Sequence, residues 1–334
     1  MSGGVAVGLD GTRESLAAAG WAAREALARD ASLELVQVRE TGAYPSSPIV
    51  VEDQVELGLS EKITGEVAEE LARRHPELRT TITMVAGRPS RVLTDLSHRT
   101  GLLVLGSRGL SGAVGYVMGS TALGTVAHAV CPVVLVRAEQ DEDGMDAADG
   151  GDGTGAEDGR DTRDAADAES AEGGPHRARH TARDASPVTA AVGDIVLGLD
   201  LGRPCDALID FAFRAASLHA RRLRVLHGWH LPPALGSTPS YPVGMEITEQ
   251  MQAEETRMLR DALRPWHEKF PDVDVVRAAV PGRAQEILKE AAEDASLLVV
   301  GRRIRQQRLG THIGPVAHAV VHHVRTPVAV VPHA

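Results

Sequence analysis

Sixteen residues, GSRGLSGAVGYVMGST from Gly106 to Thr121, carry five glycines directly behind the apolar run Leu102–Leu105. Glycine is costly in regular structure and useful where the backbone takes positive φ or passes close to another group. The spacing is G-x2-G-x9-G-S, through Gly106, Gly109, Gly119 and Ser120. Gly119-Ser120-Thr121 opens a helical pattern, whose first N–H groups lack intrahelical partners and whose positive dipole end favours anions. The Ser120 and Thr121 hydroxyls add donors, and bare Gly106 and Gly109 let the backbone curl around a bulky anion without Cβ clashes. Such residue types at such spacing suit a phosphate cradle. A second polar group, Asp10-Gly11-Thr12, follows the apolar run Val5–Leu9. Asp10 either contacts the ligand or caps the helix behind it.

Other chemistries fit less well. The chain has no G-x-x-x-x-G-K-[ST], and no G-x-G-x-x-G follows its first apolar run. His318 and His322 lie one helical turn apart with His323 adjacent, but no convincing third metal ligand is visible, so they read as surface or packing histidines. Cys131, ahead of Pro132, reads as a small buried hydrophobe. No acid–base pair or nucleophile–base arrangement stands out, so catalysis is expected to be absent or to amount to slow hydrolysis of the bound phosphate compound.

The elements that must position these residues alternate strand and helix. Strands are expected near Gly4–Leu9, Ser32–Val38, Arg79–Val85, Leu102–Leu105 and Val133–Arg137, as near-continuous apolar runs suited to burial on both faces. Helical stripes separate them, including Ile63, Val67 and Leu71, and Leu123, Val126, Ala127 and Val130. Alternating βα units predict a parallel sheet with right-handed crossovers.

The pattern occurs twice. VAVGLDGT at Val5–Thr12 matches IVLGLDLG at Ile195–Gly202 with an offset of 190 residues. VAGRPSRVL at Val85–Leu93 matches VPGRAQEIL at Val280–Leu288 with an offset of 195, so the second copy gains five residues between these blocks. Gly87-Arg88 and its echo Gly282-Arg283 read as strand-to-helix turns, with proximity to a ligand as the lesser alternative. The fold class expected is therefore α/β, two doubly wound five-stranded domains in tandem, with boundaries at 1–138 and 191–334. Between them, 139–190 reads as a disordered acidic linker: Glu139–Pro187 holds 15 acidic against 5 basic residues, ten of the chain's eleven net negative charges. Neither folded half has the basic excess of a general nucleic-acid binder. No apolar run approaches the roughly 20 residues of a membrane span, and the start lacks a secretory pattern, so a cytoplasmic location without membrane association is expected. Two cysteines in 334 residues exclude a disulfide framework.

The glycine spacing behind the fourth strand, VGLDGT at the start and CPVVLV at the end of the first copy together resemble the ATP-binding branch of the universal stress protein family in tandem form. The resemblance covers nearly everything outside the linker. It implies strand order 3-2-1-4-5, which sets the first and fourth strands side by side. It also implies ATP as the cofactor, with magnesium as an accompanying ion left open. Asp10 and Val38 would flank the adenosine, and Gly106, Gly109, Gly119 and Ser120 would hold the phosphates, with Arg108 and Thr121 inside the same motif. The copies would pair through their fifth strands into a pseudo-dimer within the chain, with further association into a homo-oligomer.

The second copy departs from this pattern. At the 195 offset Gly109 becomes Ile304, expected to strain a backbone that needs positive φ, and Ser120 becomes Pro315, which removes a hydroxyl and an N–H. One nucleotide site per chain is expected, in the first copy. The arginines of GRRIRQQRLG, Gly301–Gly310, read as a solvated loop, or as a site for another anion or for the acidic linker. Three functions remain open at this point: an ATP-binding stress-response regulator, a slow ATPase or phosphotransferase using the same cradle, and a structural pairing module that nucleotide stabilises.

Overall fold

The computed structural model describes residues 3–40, 50–107, 119–138, 193–230, 242–304 and 313–333. The linker therefore lies outside the described residues, and so do Arg108, Gly109, Arg305 and Arg308. The first half runs β1 (Val5–Leu9), α1 (Arg13–Ala28), β2 (Leu33–Arg39), α2 (Val50–Arg74), β3 (Thr80–Ala86), α3 (Pro89–Leu96), β4 (Leu102–Gly106), α4 (Ser120–His128) and β5 (Val133–Val136). The second runs β6 (Ile195–Gly198), α5 (Asp206–Leu218), β7 (Leu223–Trp229), α6 (Pro242–Lys269), β8 (Val275–Pro281), α7 (Ala284–Ala291), β9 (Leu297–Arg303), α8 (Pro315–His323) and β10 (Val328–His333). The five extra residues fall between β7 and β8. The duplication reaches the backbone: the non-glycine residues at positive φ, among those described, are Asp30 and its equivalent Ala220, each just past its helix.

Each half has the strand order 3-2-1-4-5, with every pair inside a half parallel. Strands such as Leu102–Leu105 are buried on both faces because helices cover both. On one face α1 presents Ala18, Ala19, Ala22, Ala23 and Ala26, all at most 1% exposed, and these small side chains let the helix lie close to the sheet. Gly87 and Gly282 take φ of +155° and +138° at the turns into α3 and α7, as the sequence echo predicts.

The edge strands β5 and β10 meet antiparallel, with Val133, Val134 and Leu135 opposite Val330, Ala329 and Val328. Two apolar edges that would otherwise face water cover each other, and the result is one ten-stranded sheet among the described residues. Two hydrophobic clusters, one per face, each draw on both halves. Polar contacts reinforce the join. Glu25 of α1 is 3% exposed and meets His219 Nε2, just past α5, at 2.8 Å and Arg29 Nε at 2.7 Å. Burial alone would raise the Glu25 pKa, but the hydrogen bonds and charges of His219 and Arg29 outweigh it and hold the carboxyl below its ordinary value of 4.5. A folded-state pKa lowered below the unfolded value gives stability that is present above pH 4.5 and is lost as pH falls through the depressed value. Acid titration of the melting temperature should thus be shallower below pH 4.5 for Glu25→Gln than for the wild type; equal slopes would remove Glu25 from the acid response.

One helix differs from its predicted stripe. α4 ends at His128, and Val130 lies beyond it, 46% exposed. The buried positions are Ala122, Thr125, Val126 and Ala129, while Leu123 and Ala127 pack at the margin. Pro132 biases Cys131 away from helical backbone, and the Val130 N–H leaves the helix ladder to donate to Ser97 Oγ at 3.0 Å. Cys131 is buried as expected, which pushes its thiol pKa up to about 12.

Candidate functional site

From β1 the chain passes into α1 on one face of the sheet, and from β4 into α4 on the other. The neighbouring carboxyl ends of β1 and β4 therefore border a crevice at the point where strand order reverses, the usual ligand position in such sheets. A cleft of about 340 Å³ opens there, within the range of roughly 300–1,000 Å³ typical of small-molecule sites. Asp10, Val38, Gly106, Gly119, Ser120 and Thr121 all line it. These residues come from the ends of β1, β2 and β4 and the start of α4, and span 112 positions of sequence. Arg108 and Gly109 complete the predicted set but lie outside the described residues.

The cap of α1 is Thr12 rather than Asp10: the Thr12 Oγ1 accepts from Ser15 N at 3.3 Å. Asp10 is exposed at the cleft, and its Oδ1 accepts from Thr12 Oγ1 at 2.5 Å and Thr12 N at 3.1 Å. The carboxylate is thereby held in place by the residue that starts the helix. Opposite it, α4 begins with Gly119 as N-cap at φ −58°, ψ 148°, with no side-chain cap bond, so the Ser120 and Thr121 region faces the cleft with the helix's positive end. Two helix N-termini, α1 and α4, converge on one space, and a third, that of α3, borders it through Pro89.

The two glycines of the cradle turn out to have different physical reasons. Gly106 does not take positive φ. A Cβ there would lie 2.7 Å from the backbone of Glu14 and Ser15, so the position is bare because the first turn of α1 packs against β4. Its assignment to curling around an anion is corrected accordingly. At Gly119 a Cβ would meet nothing within 4 Å among the described residues, so neither their packing nor the backbone angle requires glycine there.

The second half has an equivalent cleft of about 410 Å³, lined by Asp200, Gly301 and Gly314 among others. Its polar equipment differs. At the equivalent offsets Thr12, Ser15, Ser120 and Thr121 become Gly202, Cys205, Pro315 and Val316, so four hydroxyls are replaced. α5 starts three residues later than α1 and lacks a side-chain cap, and the His333 ring fills the space beside Gly301 where α1 lies against Gly106. The strain expected at Ile304 does not arise, since Ile304 is not among the positive-φ residues. β9 runs on to Arg303 beside β10, and Ile304 N donates to His333 O at 2.6 Å. The arginine-rich segment is not wholly solvated either: Arg302 is 4% exposed, whereas Arg303 lines the second cleft.

A family model described as the universal stress protein family matches residues 1–137 and 191–332. The chain belongs to the universal stress protein family. A universal stress protein of Mycolicibacterium smegmatis is 30% identical over 339 residues, covering 98% of this chain and 96% of that one. One from Mycobacterium tuberculosis is 28% identical over 345 residues, covering 98% and 94%. Among solved structures, a universal stress protein from Archaeoglobus fulgidus superposes with a TM-score of 0.58 at 12% identity over 100% of both chains. A Pseudomonas aeruginosa protein does so with a TM-score of 0.55 at 15% identity, covering 98% and 92%. At such identities the likeness is one of fold.

In this universal stress protein the cleft also includes Thr12, which the sequence names beside Asp10 without a separate role, and Ser15, Val36, Glu40 and Pro89, which motif reading passes over. Val36 was accessible from sequence, because residues two apart on a strand share a face and Val38 was already a candidate. Thr12 carried a helix-start signature. Pro89 directly follows the Gly87-Arg88 turn marked in the sequence, whereas Glu40 reaches the cleft through tertiary placement and has no local signal. Among the described residues no group of three or more His, Cys, Asp or Glu could hold a metal ion, and no helix is long and apolar enough to cross a membrane.

Proposed function

We propose that the first half binds ATP and that the chain acts as a cytoplasmic nucleotide-dependent regulator of the stress-protein class, the second half serving as its pairing partner. One observation carries this reading: six residues singled out from sequence converge on a single cleft between two helix N-termini, with open space at Gly119. In it Asp10 and Val38 flank the adenosine, while Gly119, Ser120 and Thr121, with Arg108 and Gly109 from the neighbouring stretch, hold the phosphates. Gly106 serves indirectly by seating α1. The described lining offers a phosphate cradle without a nucleophile–base pair, which favours a holder of nucleotide over a catalyst; magnesium, if used, would arrive with the nucleotide.

The test is mass spectrometry of nucleotide released from the purified chain, followed by calorimetry with magnesium and ATP. Ser120→Pro, which copies Pro315 into the first cleft, should lower ATP affinity by about a hundredfold or more, because it removes two donors, the hydroxyl and the N–H, and hydrogen bonds to charged groups contribute roughly 1.5–3 kcal/mol each. Its melting temperature should stay close to that of the wild type, since proline is accommodated at the first helical position, as at the start of α8. No heat with ATP up to the millimolar range in the wild type would end the nucleotide reading.

A further inference from the structure

Arg302 belongs to the second half but ends in the first. Its guanidinium is buried, with Nη1 donating to Ala127 O at 2.8 Å and Nη2 to Ala129 O. These carbonyls lie at the carboxyl end of α4, where the last four C=O groups of a helix lack intrahelical partners and the negative dipole end favours a cation. Burial pushes the Arg302 pKa down, and no carboxylate pairs with it among the described residues. The helix end is therefore the counter-charge that makes this buried cation tolerable. The contact is one-sided. In the first half the position equivalent to Arg302 is Ser107, whose buried Oγ has no hydrogen-bond partner among the described residues. α8 instead receives Arg137, whose Nη2 donates to Val321 O at 2.8 Å.

We infer that Arg302 is a positioning residue for the first cleft: by gripping the carboxyl end of α4 from the second half, it fixes where the amino end, Gly119–Thr121, stands. The helix is nine residues long, about 13 Å at 1.5 Å per residue, and so short a rod carries a displacement at one end to the other. The inference rests on the nucleotide reading of that cleft and extends it, since the pairing partner then supplies part of the site's geometry. Arg302 touches no ligand; it acts through α4.

The experiment uses the full chain with Arg302→Met, Arg302→Lys and Arg137→Met. The last removes the corresponding arginine contact on α8 and serves as the control for general loosening of the join. Calorimetry with magnesium and ATP should show about tenfold weaker binding for Arg302→Met, within the range of roughly 5–150-fold usual for coupled sites. Arg302→Lys should recover part of the loss, and Arg137→Met should bind as the wild type does. Hydrogen exchange without nucleotide should be faster along 123–129 in Arg302→Met and unchanged there in Arg137→Met. Equal affinity losses in the two methionine variants, or unchanged affinity and exchange in Arg302→Met, would overturn the inference. A wild type that binds no ATP overturns the nucleotide reading instead, and the exchange measurement then decides by itself whether Arg302 holds α4.

Discussion

Ala329→Asp should destabilise the whole chain by about 4 kcal/mol or more, because it places a carboxylate without a partner in a dry interior. Ala329 is 0% exposed and stands opposite Val134, also 0% exposed, at the junction of β10 with β5. Both belong to the cluster that joins the two halves on one face of the sheet. The substitution therefore acts on each half together with the join, and the separated β5 and β10 would present bare apolar edges. Scanning calorimetry should show one transition in the wild type and a lower, divided one in the variant. A variant that melts at the wild-type temperature would mean that the antiparallel junction does not hold the halves together.

The second large effect separates the two glycines of the cradle. Gly106→Ala should cost about 1–3 kcal/mol, as overpacking of a filled interior does, and should weaken ATP binding as well. Its Cβ would meet backbone at 2.7 Å, and backbone yields less readily than the tip of a flexible side chain. The atoms it meets belong to Glu14 and Ser15 at the start of α1, next to Thr12, so any relief moves a wall of the cleft. Gly119→Ala should change stability by only about 0.5–1 kcal/mol, the usual cost of alanine at an N-cap, while its methyl group enters the open cleft and weakens binding. Denaturant melts paired with ATP titrations decide the matter. If Gly106→Ala kept full stability, the α1–β4 contact could not be the reason for that glycine.

The contrast between these glycines shows where sequence reading succeeds and where it stops. Strands such as Leu102–Leu105 were legible because burial on both faces leaves a continuous apolar run, and the duplication was legible because it repeats motifs at fixed offsets. The strand order came with the family resemblance. Gly106 does line the cleft, but for a reason the sequence hides: the group it avoids lies some ninety residues away and is backbone, which has no sequence signature. Arg302 was misread as a loop residue on the same ground, since its partners are the carbonyls of Ala127 and Ala129. Val130 continued a good helical stripe, but Pro132 and the hydroxyl of Ser97 ended the helix earlier. Patterns report what a residue prefers; competition from a distant neighbour decides among preferences.

The antiparallel meeting of β5 and β10 turns the two halves head to tail, so their clefts open at opposite rims. It also brings the exit of β5 and the start of β6 to the same rim, the one bearing the first cleft. Three strand spacings separate β5 from β6, about 14 Å at roughly 4.8 Å each, and five extended residues would cross that gap. The sequence supplies 54, from 139 to 192. Relative to a ten-residue bridge, closing so long a tether costs about 1.5 kcal/mol more in chain entropy. Joining the sheet does not account for that surplus.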